Sequence, residues 1–222
     1  MKYVIAIIMV AWFASSCNEG AKKPAAQETR EPDPLEHKDS VPVVARDSVP
    51  VVKQNPETYS LVSQSRQVLG ALKNHDLMKF ASFIHPTLGV RFSPYGHIDT
   101  VVHRSFLPQE LVNLSASREK IFWGYYDGSG DSINLNVTNY FTKFVYNADF
   151  LSKAVSVNRM VGSGNSLNNL QTVYKDAVFT ESYIPGVNPK YAGMDWCSLR
   201  LVYKKAGAKF YLVAVVHDQW TI

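Results

Sequence analysis

Residues 196–217 read WCSLRLVYKKAGAKFYLVAVVH, two runs rich in β-branched and aromatic residues joined by Lys205-Ala-Gly-Ala. That pattern predicts a β-hairpin with strands over 196–204 and 209–217. Upstream, the runs 155–161 and 177–184 have the same character, so the C-terminal half reads as mostly β. The N-terminal half is helical. Asn55-Pro-Glu57 offers a capping side chain and a proline preset for the first helical position. Leu61, Val62, Val68, Leu69 and Leu72 then fall on one stripe, which predicts an amphipathic helix to about Asn74. Asp76 can cap a second, short helix through Ile84. A strand at Gly89-Val-Arg-Phe-Ser-Pro, a helix opened by Pro108, a strand over 121–126 and a helix over 138–148 follow. Helices first and a run of antiparallel strands last imply an α+β fold. The helices pack on one face of a curved, mainly antiparallel sheet.

This domain, 57–222, is preceded by two segments of different character. Residues 1–16 carry one charge at Lys2, an apolar run from Tyr3 to Ala14 and small residues up to Cys17, which reads as a signal peptide. The apolar run is about twelve residues, against the roughly twenty that a membrane-crossing helix needs. Small residues abutting Cys17 resemble the lipobox of bacterial lipoproteins, with Ala14 where an aliphatic residue usually stands. The resemblance implies lipidation of Cys17, a palmitate-bearing N-terminus and attachment to the bilayer. Residues 17–56 form the tether. Six of eleven prolines lie there, with no Phe, Trp or Tyr, and Asp39-Ser-Val-Pro-Val-Val recurs at Asp47. Such a stretch buries too little apolar surface to offset its chain entropy, and its prolines favour extended geometry.

The order of elements resembles the nuclear transport factor 2-like superfamily, the SnoaL-like cones. The likeness rests on the long first helix, the turn Asn74-His-Asp-Leu-Met-Lys-Phe-Ala and the closing hairpin. It implies a cone whose open end holds a small hydrophobic ligand, in a superfamily that includes enzymes, binding modules and scaffolds. Four phrases are also similar to a family of exported bacterial lipoproteins: His85-Pro with Gly89-Val-Arg-Phe-Ser-Pro, Trp123-Gly-Tyr-Tyr-Asp-Gly-Ser-Gly, Gly193-Met-Asp-Trp196 and His217-Asp-Gln-Trp-Thr-Ile. That likeness implies a cell-envelope location, with the domain facing the periplasm or the surface from the outer membrane.

Chemistry is harder to find. The net charge of +4 is too small for a nucleic-acid signature. Cys17 and Cys197 make no zinc pattern, so neither a metal nor another cofactor is expected. Asp127-x-Ser-x-Asp131 opens like a calcium loop but lacks the glycine and the bidentate glutamate, and reads as a turn. Gly162-Ser-Gly-Asn165 also reads as a turn. Strand alternation groups Glu181 and Tyr183, Trp196 and Arg200, and Val213, Val215 and His217 on shared faces. If these faces line one cavity, His217 with Glu181 or with Asp218 at the rim can do acid–base work. Arg200, Trp196 and Tyr183 would then hold a ligand. The same residues also read as an ion pair closing a sheet face, with a satisfied histidine at a strand end. Phe92, Tyr95, Phe122, Trp123, Tyr125 and Tyr126 read either as a carbohydrate or peptide platform or as ordinary core. The expected function is a non-catalytic ligand- or protein-binding domain on a lipid anchor, the alternative a small-molecule hydrolase or isomerase. Expected partners are the bilayer through Cys17 and a small apolar or anionic ligand or an envelope protein, not nucleic acid.

Overall fold

The computed structural model describes residues 55–221. The signal segment, Cys17 and nearly all of the tether lie outside the described residues. Helix α1, Pro56–Lys73, begins where the Asn55 side chain accepts the Glu57 amide at 3.0 Å. It buries Leu61, Ser65, Val68, Leu69, Ala71 and Leu72 along one stripe. Helix α2, Leu77–Ala81, is capped by Asp76 but stops short of the expected Ile84. The chain leaves the helix there because Ile84 bridges to Leu212, whose carbonyl accepts the His85 amide at 2.9 Å.

Strands β1 (Val90–Ser93) and β2 (Ser105–Phe106), helix α3 (Pro108–Ser117) and the hairpin β3 (Ile121–Tyr125) and β4 (Ser132–Leu135) follow. The helix expected over 138–148 is shorter and irregular. Helix α4, Val137–Tyr140, runs into a π-helical turn, Phe141–Val145, closed by the Tyr146 amide on the Phe141 carbonyl. Of the expected face Phe141, Phe144, Val145 and Ala148, Phe144 and Val145 are buried, Phe141 and Ala148 pack partly buried against the core, and Tyr140 is buried beside them. Strand β5, Val155–Val157, ends where Asn158 takes φ +50°. Helix α5 (Leu170–Val173) and strands β6 (Val178–Ile184), β7 (Cys197–Ala206) and β8 (Lys209–Gln219) complete the chain.

The fold is α+β, with helices packed on a curved, mainly antiparallel sheet. Six strands run in the order β2-β1-β8-β7-β6-β5, and the β1–β8 pair is parallel. The β7–β8 hairpin turns at Gly207, whose φ of +61° favours glycine, with Ala206 paired to Lys209. One irregularity sets the faces of β8. Tyr203 pairs with Leu212 but Val202 with Ala214, leaving Val213 as a bulge. A bulge bends its strand and inverts the faces beyond it.

The inner face of the sheet meets α1, α2 and the π turn. Phe92, Phe106, Trp123, Tyr140 and Phe144 are nearly or fully buried there, and the Trp123 and Tyr140 rings stack at 3.8 Å. Ser65 ties α1 to the sheet through the hydroxyls of Thr180 (2.9 Å) and Tyr203 (3.0 Å). The outer face is covered too. Phe179, Val202, Ala214 and Val216 pack beneath Ile98, Leu170 and Met160, from the segments before β2, at α5 and after β5. Both faces being occupied explains why β7 is buried for seven consecutive residues.

Candidate functional site

Counting back from the hairpin turn without a bulge would set His217 opposite Ser198, on the face of Arg200. With the bulge at Val213, Ser198 pairs with Asp218, Leu199 with His217 and Arg200 with Val216. Asp218 therefore joins the face of Arg200 and Glu181, and His217 turns inward. The shared cavity expected for His217, Glu181 and Arg200 is corrected accordingly, as is the rim position expected for Asp218, which is 4% exposed.

On the outer face Arg200 is fully buried. Its Nε donates to Glu181 Oε1 at 3.0 Å, its Nη1 to Asp218 Oδ2 at 2.8 Å and its Nη2 to the Gly162 carbonyl at 2.8 Å. Glu181 also accepts the amides of Val161 and Gly162. The stretch expected to be a simple turn at 162–165 is thus a strap held on the sheet by charge-assisted hydrogen bonds. Its glycines have a steric reason. A Cβ on Gly162 or Gly164 would sit 2.8 or 2.7 Å from the Trp196 ring, and one on Gly96 2.8 Å from the Asp218 carboxylate. Trp196 is buried against Tyr183, 6.0 Å between centroids. Burial pushes the Asp218 carboxyl above the usual range, offset in part by the Arg200 guanidinium. These five residues form a packed, mutually satisfied cluster under a strap.

His217 lies in apolar surroundings against Phe144, 6.1 Å between ring centroids. Its Nδ1 is 3.2 Å from the Pro94 carbonyl, which can only accept, so the ring proton sits on Nδ1. Among the described residues its Nε2 has no partner, and neither has the buried Tyr140 hydroxyl. Burial lowers the His217 pKa from 6.5 to about 4, with the nearby Arg200 charge adding to the effect.

The open relief lies elsewhere. A groove of about 600 Å³ runs between the loop after β1, the tip of the β3–β4 hairpin and residues 165–167. Tyr95, Tyr125, Tyr126, His97, Asp99, His103 and Asp127 give it its character. Of the six aromatic residues that read as a platform or a core, Phe92 and Trp123 are core and the three tyrosines face this groove. Its polar groups come from separate stretches, 95–103, 125–127 and 165–166, which spacing alone could not bring together. Their loop is well fixed: Arg91 donates to the carbonyls of Thr100 and His103, and the Asn169 amide clasps both backbone groups of Ile98. His103 is nearly buried, its Nδ1 accepts the Asp99 amide at 3.1 Å, and burial lowers its pKa from 6.5 to about 4. Among the described residues, no three His, Cys, Asp or Glu side chains cluster closely enough to hold a metal ion, and no helix is long and apolar enough to cross a membrane.

No family model matches this chain, and no curated protein matches it. Solved structures are similar at low identity. Aln2 from a Streptomyces species is 11% identical over 74% of this chain and 92% of its own, with a TM-score of 0.33. A putative calcium/calmodulin dependent protein kinase II association domain from Xanthomonas campestris is 13% identical over 74% and 89%, with a TM-score of 0.34. A chain named Rd1NTF2_05 with five substitutions is 12% identical over 73% and 99%, with a TM-score of 0.33. At these scores the likeness says nothing of what the present chain binds or does.

Proposed function

We propose that this protein is an exported lipoprotein, anchored to an envelope membrane through lipidated Cys17. Its domain, a cone of the nuclear transport factor 2-like kind, serves as a non-catalytic binding module. The anchor reading rests on the first seventeen residues and the cone reading on the order of helices and strands. The binding reading rests on one observation: the ionisable groups that acid–base chemistry would need are divided between the two faces of the sheet. Glu181, Arg200 and Asp218 are consumed in holding the strap, while His217 faces Phe144 and the Pro94 carbonyl. The groove between Tyr95, Tyr125 and His103 is open and mixed in character, and serves as the binding surface. No contact of His217 favours the hydrolase or isomerase reading.

Anchoring is tested by feeding an alkyne fatty acid to a bacterial host producing the full chain. The protein is expected to take the label and sediment with membranes, and Cys17→Ser to lose both properties. A Cys17→Ser chain that stays with the membrane contradicts the anchor.

A further inference from the structure

The proposed binding reading leaves the ligand open, and the walls of the groove narrow its chemistry. No lysine or arginine is among the groove's lining residues, whereas Asp99 and Asp127 are, so an anionic ligand would meet like charge without a counter-ion. This argues against the anionic ligand that the sequence allows. A lipid tail fits no better, because Val102 and Leu167 are the aliphatic side chains among otherwise polar and aromatic neighbours. A cation is disfavoured for a different reason. The ammonium of Lys143 already lies over the Tyr126 ring, 4.4 Å from its centroid, and donates to the Tyr126 hydroxyl at 3.1 Å. At the Tyr126 end of the groove a cationic guest would therefore meet the chain's own ammonium.

What the groove offers is flat aromatic surface beside polar groups of fixed direction. The Tyr125 ring is 52% exposed and is held from behind by Phe122, edge to face at 5.2 Å. Tyr95 is held in the same way by Phe144 at 5.8 Å. Asp99 receives the amides of Val101 and Val102 on Oδ1 alone, at 2.8 and 3.0 Å. Its Oδ2 makes no hydrogen bond among the described residues, so it can accept from a ligand. Because the Asp99 amide donates to His103 Nδ1, the neutral His103 ring carries its proton on Nε2, which makes it a donor of fixed tautomer. Rigid rings, free carboxylate oxygens and a neutral donor together suit a neutral ligand that has a flat C–H face and many hydroxyls. Acceptance of hydroxyls by ionised carboxylates gives the stronger class of hydrogen bond, and the fixed loop lowers the ordering cost of binding.

We propose that the groove formed by Tyr95, Tyr125, Asp99, His103 and Asp127 binds a neutral oligosaccharide. This rests on the reading of the domain as a binding module. The test uses the full chain in detergent micelles, titrated with chitotetraose, cellotetraose and mannotetraose as neutral probes, tetragalacturonate as acidic probe and tetralysine as cationic probe. Binding is followed by amide and tyrosine NMR shifts. At least one neutral probe is expected to move resonances of Tyr125, Asp127 and His103. Tyr125→Ala should weaken it at least tenfold with an unchanged melting temperature, since that ring is half exposed, and Tyr125→Phe should restore it. Tyr59→Ala, exposed and outside the groove, should change affinity less than twofold. Groove shifts with tetragalacturonate or tetralysine and none with the neutral probes would overturn the neutral-saccharide assignment and leave the binding module standing. No shift in the groove with any probe would overturn both.

Discussion

Arg200→Met should lower the unfolding free energy by about 3–5 kcal/mol, the usual range when one member of a buried ion network is removed. The guanidinium is fully buried between the carboxylates of Glu181 and Asp218 and also holds the Gly162 carbonyl. Its loss leaves two buried carboxylates without a counter-ion on one sheet face and frees the strap they share. Urea unfolding should show a lower midpoint with a similar slope, and limited proteolysis should open new cuts over 159–169. Replacing Asp218 alone by asparagine removes one of the two charges Arg200 balances and should cost less than replacing Arg200. A loss below about 1 kcal/mol for Arg200→Met, the scale of an exposed pair, would mean that the cluster does not hold the strap.

Stability should be flat above about pH 6.5 and fall steadily as the pH drops toward 4. His217 has its pKa lowered from 6.5 to about 4 in the folded protein. Between these values the unfolded chain takes up a proton that the native chain refuses, so acid favours unfolding. For a fully buried ring the gap corresponds to roughly 3 kcal/mol. His103, also lowered to about 4, acts in the same direction. Asp218 acts oppositely, because burial raises its carboxyl and protonation then relieves the cost of a buried charge. Chemical denaturation at several pH values checks the curve. His217→Phe should flatten much of it, replacing a ring whose Nε2 lacks a partner with an apolar one of similar size.

Much of the fold is legible in the sequence for identifiable reasons. Asn55-Pro56 states both a cap and a first helical residue, and α1 begins there. The closing hairpin is legible because two long β-rich runs flank a glycine at which only a tight turn fits. Strand β2, two residues long, and β4, four residues long, are too short to show alternation, and pairing with neighbours rather than local preference makes them strands. The π turn after Tyr140 is a departure from regular helix that ideal periodicity does not show.

The candidate site turned on Val213. Nothing in Leu212-Val-Ala-Val-Val marks one valine as unpaired, since any of them suits a strand. Yet the bulge exchanges His217 for Asp218 at the side of Arg200 and converts an apparent acid–base pair into a structural ion network. The groove was hidden for a different reason. Tyr95 and His103 come from the β1–β2 loop, Tyr125 from the end of β3 and Asn165 from the strap, and only the fold brings them together.

The central claim, that His217 belongs to the interior and not to a catalytic pair, is tested most directly by an NMR titration of its ring nitrogens. The account predicts a neutral ring with the proton on Nδ1 and a midpoint near pH 4, in keeping with its Pro94 contact and its burial. A midpoint at or above 6.5, with the ring charged near neutral pH, would place a carboxylate beside it and contradict the account.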